Sequence, residues 1–268
     1  MSHWLASDFS WTSRWANDDL IPIDVESFAR VRPERFPRTG GTTGDTGSGG
    51  YVSGNPLVPD ASEFNVKLVF QGSFTTDLKN AFILAAEAIS DFILGDIPNT
   101  GFRRSGIDDI TITAKLSYID SVGGILGQAG PTSIRAGSFL PATGIMEFDS
   151  SDAASYQAAG LFDDLALHEM LHTIGFGTIW GNLGLISGSG FNGWRANAAF
   201  PGTALVPIEL DGGAGTAWSH WNEESFGTEL MTGYIDGDNY LSYTTIASLG
   251  DLGYNVVSGA SYVQPWFI

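Results

Sequence analysis

Residues 161–180 read LFDDLALHEMLHTIGFGTIW, and the rest of the chain has to be built around them. Phe162, Leu165, Leu167, Met170, Leu171 and Ile174 follow helical spacing and nearly encircle the axis, which places this helix in a core. Three strongly polar groups interrupt it. His168 and His172 are one turn apart on one face, and Glu169 lies beside them on the same side. Buried imidazoles and a buried carboxylate are costly unless something satisfies them, and a divalent metal with a bound water would do so. Asp163 and Asp164 fall in the first turn, where the helix dipole favours negative charge. Gly175 follows the last helical residue as a left-handed cap. Taken alone, a buried histidine pair is more often a satisfied core feature than a ligand pair, so the rest of the chain has to decide.

The chain has 268 residues, 43% of them hydrophobic and 12% aromatic, enough for a large core. Its net charge is −18, and from Ala136 to Ile268 there are 14 acidic residues against the single basic Arg195. Such a surface repels nucleic acid and anionic membranes, and both drop out as partners. It suits an exported, calcium-bathed protein. There is no cysteine, which excludes a disulfide framework, a thiolate zinc site and a cysteine nucleophile. The opening MSHWLASDFSWTSRW lacks the regions of a signal peptide, and no apolar run is long enough to span a membrane. The expectation is a secreted protein without a recognisable N-terminal signal, a cytoplasmic place being the alternative.

Three regions are expected: an N-terminal extension over 1–60, a subdomain over 61–180 carrying the helix above, and an irregular C-terminal subdomain over 181–268. Residues 37–56 are dense in Gly, Thr, Ser and Pro and read as a linker. Phe64 to Gln71 alternates as a strand does. Ser73 or Thr75 then caps a helix to about Phe92, with Leu78, Phe82, Ala85, Ala86 and Ile89 on its apolar side. Ile107 to Ile119 and Gly144 to Phe148 are further strands. Asp152 to Ala159 is a short helix, and Ser242 to Leu252 a last one. This order of elements predicts an α+β fold with helices packed on one mixed sheet.

A catalytic zinc site keeps three protein ligands and an open position. The chain has four histidines: His3 near the terminus, the helix pair, and His220 in TAWSHWNEESFGTELMTGYI. His220 is therefore the economical third ligand, with Trp218 and Trp221 as flanking walls.

HEMLHTIGFGTIW, a histidine 48 residues beyond His172, and ELMTG eleven residues after that histidine together resemble the metzincin zinc peptidases, and among them the leishmanolysin-like family in its bacterial, cysteine-free form. The similarity extends over most of residues 64–257. It implies the metzincin fold, with a mixed twisted sheet, an active-site helix and a C-terminal subdomain across a cleft. It implies zinc held by His168, His172 and His220, Glu169 as general base, Gly175 as the turn after the helix and Met231 as the apolar floor. Gly144, Ile145 and Met146 would lie on the strand that rims the cleft and pairs with an extended peptide, while on sequence alone a strand wholly internal to the sheet is an equal reading. Some metzincins carry a tyrosine ligand two residues after the methionine. Here Gly233 stands there, and Tyr234, one later, is left as a candidate oxyanion stabiliser.

The expected activity is that of a zinc endopeptidase acting on protein or peptide substrates, neutral or basic ones preferred. The rival reading is a secreted binding or surface module with a structural zinc closed by a fourth ligand, such as a carboxylate from residues 1–60. Calcium is a further candidate ion, at Asp108 with Asp109, at Asp120 near Gly123 and Gly124, and at Asp236 with Asp238, although each pair alone reads more readily as a solvated turn.

Overall fold

A computed structural model describes residues 50–265, apart from 56, 101–107, 121, 123–124, 214 and 263. Most of the expected N-terminal extension and linker therefore lies outside the described residues, together with Gly123 and Gly124.

The described chain opens with β1 (Gly50–Val52), then β2 (Val66–Gln71), α1 (Thr76–Phe92), β3 (Ile110–Ser117), β4 (Gly127–Ile134) and β5 (Pro141–Asp149). Two helices follow, α2 (Ala153–Ala159) and α3 (Phe162–Thr173). The remainder is mostly irregular: β6 (Ile186–Ser187), β7 (Gly190–Phe191), α4 (Trp194–Ala199), β8 (Val206–Pro207), α5 (Glu223–Phe226) and α6 (Tyr243–Leu252). The class is α+β.

The main sheet runs β1-β2-β3-β5-β4. β2, β3 and β5 are parallel neighbours, and β1 and β4 are antiparallel edges. A parallel strand needs a crossover: α1 joins β2 to β3, while the antiparallel β4 lies in sequence between β3 and β5. α1 begins where Thr75 accepts the Leu78 N–H, the cap anticipated from sequence. It buries Leu78, Phe82, Ala85, Ala86, Ile89 and Phe92 against β2 and α3. Phe82 sits at the centre, edge-on to Phe70, Phe74, Phe148 and Phe162.

Of the two readings of the strand at Gly144, the internal one holds and the cleft rim does not. Gly144, Ile145 and Met146 lie on β5, which pairs with β3 on one side and β4 on the other. With both rows of backbone groups engaged, β5 cannot accept a peptide as an added strand. The edge strand beside β5 is β4, whose sequence GQAGPTSI carries neither alternation nor β-branched density and so was not anticipated. Gly144 has a different purpose. A Cβ there would stand 2.1 Å from Thr173 Cγ2, so the absent side chain lets the end of α3 settle onto the sheet. Met146 is a fully buried core residue.

The C-terminal part is tied back to the sheet half. Tyr254 donates its hydroxyl to the Ile174 carbonyl at 2.9 Å and packs edge-on against Phe64. Ile93 forms a bridge with Val256. Phe176, Trp180, Phe191, Trp221 and Phe226 make one aromatic cluster beneath the end of α3.

Candidate metal centre

Every residue of α3 is buried, Asp163, Asp164, His168, Glu169 and His172 included. Acidic residues and histidines are seldom wholly buried without partners, so each has to be accounted for. At the first turn, Asn239 donates to Asp164 Oδ2 at 2.7 Å, and the Asn239 side-chain oxygen accepts the Asp236 N–H at 2.8 Å. The start of α3 is thereby moored to the turn at 236–239. At the other end the helix closes in a Schellman motif, with Gly175 N–H to His172 O at 3.1 Å and Phe176 N–H to Leu171 O at 3.0 Å. Gly175 has φ +118°, a region closed to side chains. The cap delivers the Phe176 carbonyl to His172 Nδ1 at 2.9 Å.

The other two histidines are held in the same manner. His168 Nδ1 faces the Leu230 carbonyl at 2.6 Å, and His220 Nδ1 faces the Thr216 carbonyl at 2.9 Å. A carbonyl can only accept, so all three rings carry their proton on Nδ1 and present a bare Nε2. The three Nε2 atoms converge, with separations of 2.8 Å between His172 and His168, 3.0 Å between His172 and His220, and 3.2 Å between His168 and His220. Three lone pairs with no proton between them repel unless a cation joins them. Nitrogens bound tetrahedrally to one zinc stand about 3.3 Å apart, close to what is seen. The donor set fits zinc.

Electrostatics agree with the geometry. Burial, reinforced by the neighbouring imidazoles, holds His168 and His172 well below the usual histidine range, and burial brings His220 down to about 4. All three are neutral ligands at neutral pH, and no proton has to leave before a metal enters.

The turn carrying Met231 packs against this cluster. Trp221, next to His220, donates its N–H to the Met231 carbonyl at 2.9 Å, and Trp221 and Met231 are both fully buried. Trp221 belongs to the aromatic cluster, whereas Trp218 is 44% exposed and adopts φ +70°, so the two tryptophans do not wall the site as a matched pair. Gly233 packs on Thr216, where a Cβ would meet Cγ2 at 2.6 Å; a larger residue would press on the segment that holds His220. Tyr234 is 45% exposed, and its carbonyl accepts the Thr232 hydroxyl at 3.3 Å.

The candidate calcium ligands are not gathered. Among the described residues, the one group of three or more His, Cys, Asp or Glu placed to hold an ion is His168, His172 and His220. Asp109 accepts the backbone N–H groups of Asn65 at 2.6 Å and Ile97 at 2.9 Å, while Arg135 donates to the carbonyls of Asp108 and Asp109. These are structural ties around the start of β3. Asp120 accepts the Ile125 N–H at 3.0 Å, Asp236 is half-buried beside Asn239, and Asp238 is exposed.

Sequence reasoning missed the carbonyls of Phe176, Thr216 and Leu230, because a backbone acceptor leaves no mark on residue type. It also missed Glu229, a fully buried carboxylate two residues before Met231. Its signal was available: an acid inside an otherwise apolar turn.

The family model of leishmanolysin matches residues 195–266. No curated protein matches the chain. The matched segment contains His220, Glu229 and Met231 but not α3, so the histidine cluster joins the matched segment to a helix outside it. No helix among the described residues is long and apolar enough to cross a membrane.

Proposed function

We propose that the chain, whose residues 195–266 match the leishmanolysin family model, is a zinc-dependent endopeptidase whose ion is held by His168, His172 and His220. The observation that carries this reading is the convergence of three Nε2 atoms, each left bare by a carbonyl on the opposite ring nitrogen. When bound, zinc supplies Lewis-acid polarisation of a scissile carbonyl and acidifies water.

The chain's own residues supply the remainder. Glu169, next to His168 on α3, takes the proton from the attacking water and returns it to the departing amine. Met231 gives the site an apolar floor, which keeps the ring nitrogens oriented without competing for the ion. Tyr234 stands as an oxyanion stabiliser that swings in from an exposed position. The substrate adds as a strand to β4, because β4 is the sheet edge on the side of α3. Its regular pairing runs from Gly127 to Pro131 before the register shifts, and that stretch is the natural place for a peptide backbone.

The rival module with a structural zinc would need a fourth protein ligand, and among the described residues the cluster stops at three. A carboxylate delivered by residues 1–49 falls outside them.

The test separates chemistry from metal binding. Glu169→Gln should lower kcat on casein by about 10²–10⁴-fold while zinc content stays at wild-type stoichiometry. A Glu169→Gln protein with wild-type turnover would remove the base from the scheme.

A further inference from the structure

Resting on the reading of the three histidines as a metal site, we propose that Glu229 is a positioning residue for that site, acting on His168 through the peptide bond between Leu230 and Met231.

This peptide unit is gripped on both sides. Its carbonyl, on Leu230, accepts from His168 Nδ1 at 2.6 Å, and its N–H, on Met231, donates to Glu229 Oε2 at 2.5 Å. The other carboxylate oxygen, Oε1, accepts the Ser242 N–H at 2.9 Å, the Ser242 hydroxyl at 2.8 Å and the Thr245 hydroxyl at 2.5 Å. Ser242 Oγ already accepts the Thr245 N–H as the cap of α6, and Thr245 Oγ1 already accepts the Trp221 indole N–H. Four donors thus point at one carboxyl group; burial pushes this carboxyl up from the usual carboxylate range, and the hydrogen bonds from Thr245, Ser242 and Met231 work against that in favour of the anion.

Glu229 is wholly buried and has no ion-pair partner among the described residues. A buried anion without a cation is costly. The metal site, linked to Glu229 through one polarisable peptide, would offer compensating charge once an ion is bound. A carboxylate pulling on the Met231 N–H makes the Leu230 carbonyl a stronger acceptor, which fixes the Nδ1–H form of His168 and makes its Nε2 a better donor to the ion. Carboxylates commonly touch a ligating histidine directly; here a backbone amide is interposed, and the same amide anchors the turn under the site.

A purely structural alternative exists, since Glu229 also ties this turn to α6. Two variants separate the roles. Glu229→Gln keeps the shape but loses the charge and presents an amide where fixed N–H donors point. Ser242→Ala removes the α6 cap and one donor yet leaves the 230–231 peptide alone. The proposal expects Glu229→Gln to weaken zinc binding, read by chelator competition, by about 10–100-fold, and to shift the visible bands of the cobalt-substituted protein. Ser242→Ala should lower the melting temperature with zinc affinity and cobalt spectrum unchanged. If Glu229→Gln lowers only the melting temperature, Glu229 is a structural tie and the proposal falls. Should that variant not fold, the wild-type protein with ¹⁵N-methionine still decides: the Met231 amide proton should lie downfield and move when zinc is added, and an immobile resonance would overturn the proposal. His168→Ala keeps the underlying reading separate, because wild-type zinc affinity in that variant would defeat the metal site itself and not merely its support.

Discussion

A methyl group at position 144 has nowhere to go. The ideal Cβ would lie 2.1 Å from Thr173 Cγ2 and 3.1 Å from the Gly130 carbonyl, so Gly144→Ala must push α3 away from β4 and β5. Overpacking of this kind costs about 1–3 kcal/mol, read as a lower denaturant midpoint, and zinc affinity should fall with it because His172 lies one residue before Thr173. An unchanged midpoint would mean that α3 does not need its close seat on the sheet. At this scale the sequence was legible where a residue type has one strong use. His168, His172 and His220 could be picked out because imidazoles are few and two of them share a helix face. Gly144 could not be read correctly, since a glycine that rims a cleft and a glycine that admits a helix look the same in a string of letters.

The elements that could be read are those with local chemistry of their own. α1 and α6 announce themselves by Thr75 and Ser242, whose hydroxyls accept N–H groups in the first turn, and α3 by its dense apolar content and Gly175. β4 was missed because its Gly and Pro residues contradict strand propensity, and only its pairing with β5 makes it a strand. β6, β7 and β8 are two residues each, too short for any periodicity. The turns that follow β3 and β5 are joined by Asp149, which accepts the N–H groups of Asp120 at 2.8 Å, Ser151 at 2.6 Å and Ile119 at 3.1 Å. Burial alone would raise this carboxyl, but the backbone donors outweigh it and hold the group down at about 2. A carboxyl with a depressed folded-state pKa contributes stability that is fully present above its unfolded value near 4 and is lost as pH falls through about 2. The contribution is about 2 kcal/mol. Asp149→Asn should therefore be destabilised near neutral pH and lose most of that difference below pH 2, by urea melts at several pH values. A gap that stays constant with pH would show that Asp149 is not an ionised anchor.

Across the whole molecule, the buried apolar residues form one continuous core from β2 to α6. The histidine cluster crosses the same ground, with two ligands on a helix seated on the sheet and the third in the irregular C-terminal part. An ion there fastens distant segments, and anything that binds the folded state alone stabilises it by mass action, by about 4 kcal/mol at a thousandfold excess over Kd. Removing zinc with a chelator should lower Tm by on the order of 10 °C, with recovery on adding zinc; an unmoved Tm would mean that the cluster holds no ion in solution. The overall α+β layout was legible because apolar periodicity survives in α1, β3, β5 and α3. The path by which His220 reaches α3 was not, since it depends on glycines and backbone bonds spread through residues 175–231.

The central claim is that three imidazoles hold one zinc with a corner left for solvent. X-ray absorption at the zinc edge of the loaded protein tests it most directly. The account predicts three imidazole nitrogens at about 2.0–2.1 Å together with one further oxygen or nitrogen that exchanges when a hydroxamate is added. A spectrum with fewer than three imidazoles, or with a fourth ligand that no added hydroxamate displaces, would contradict it.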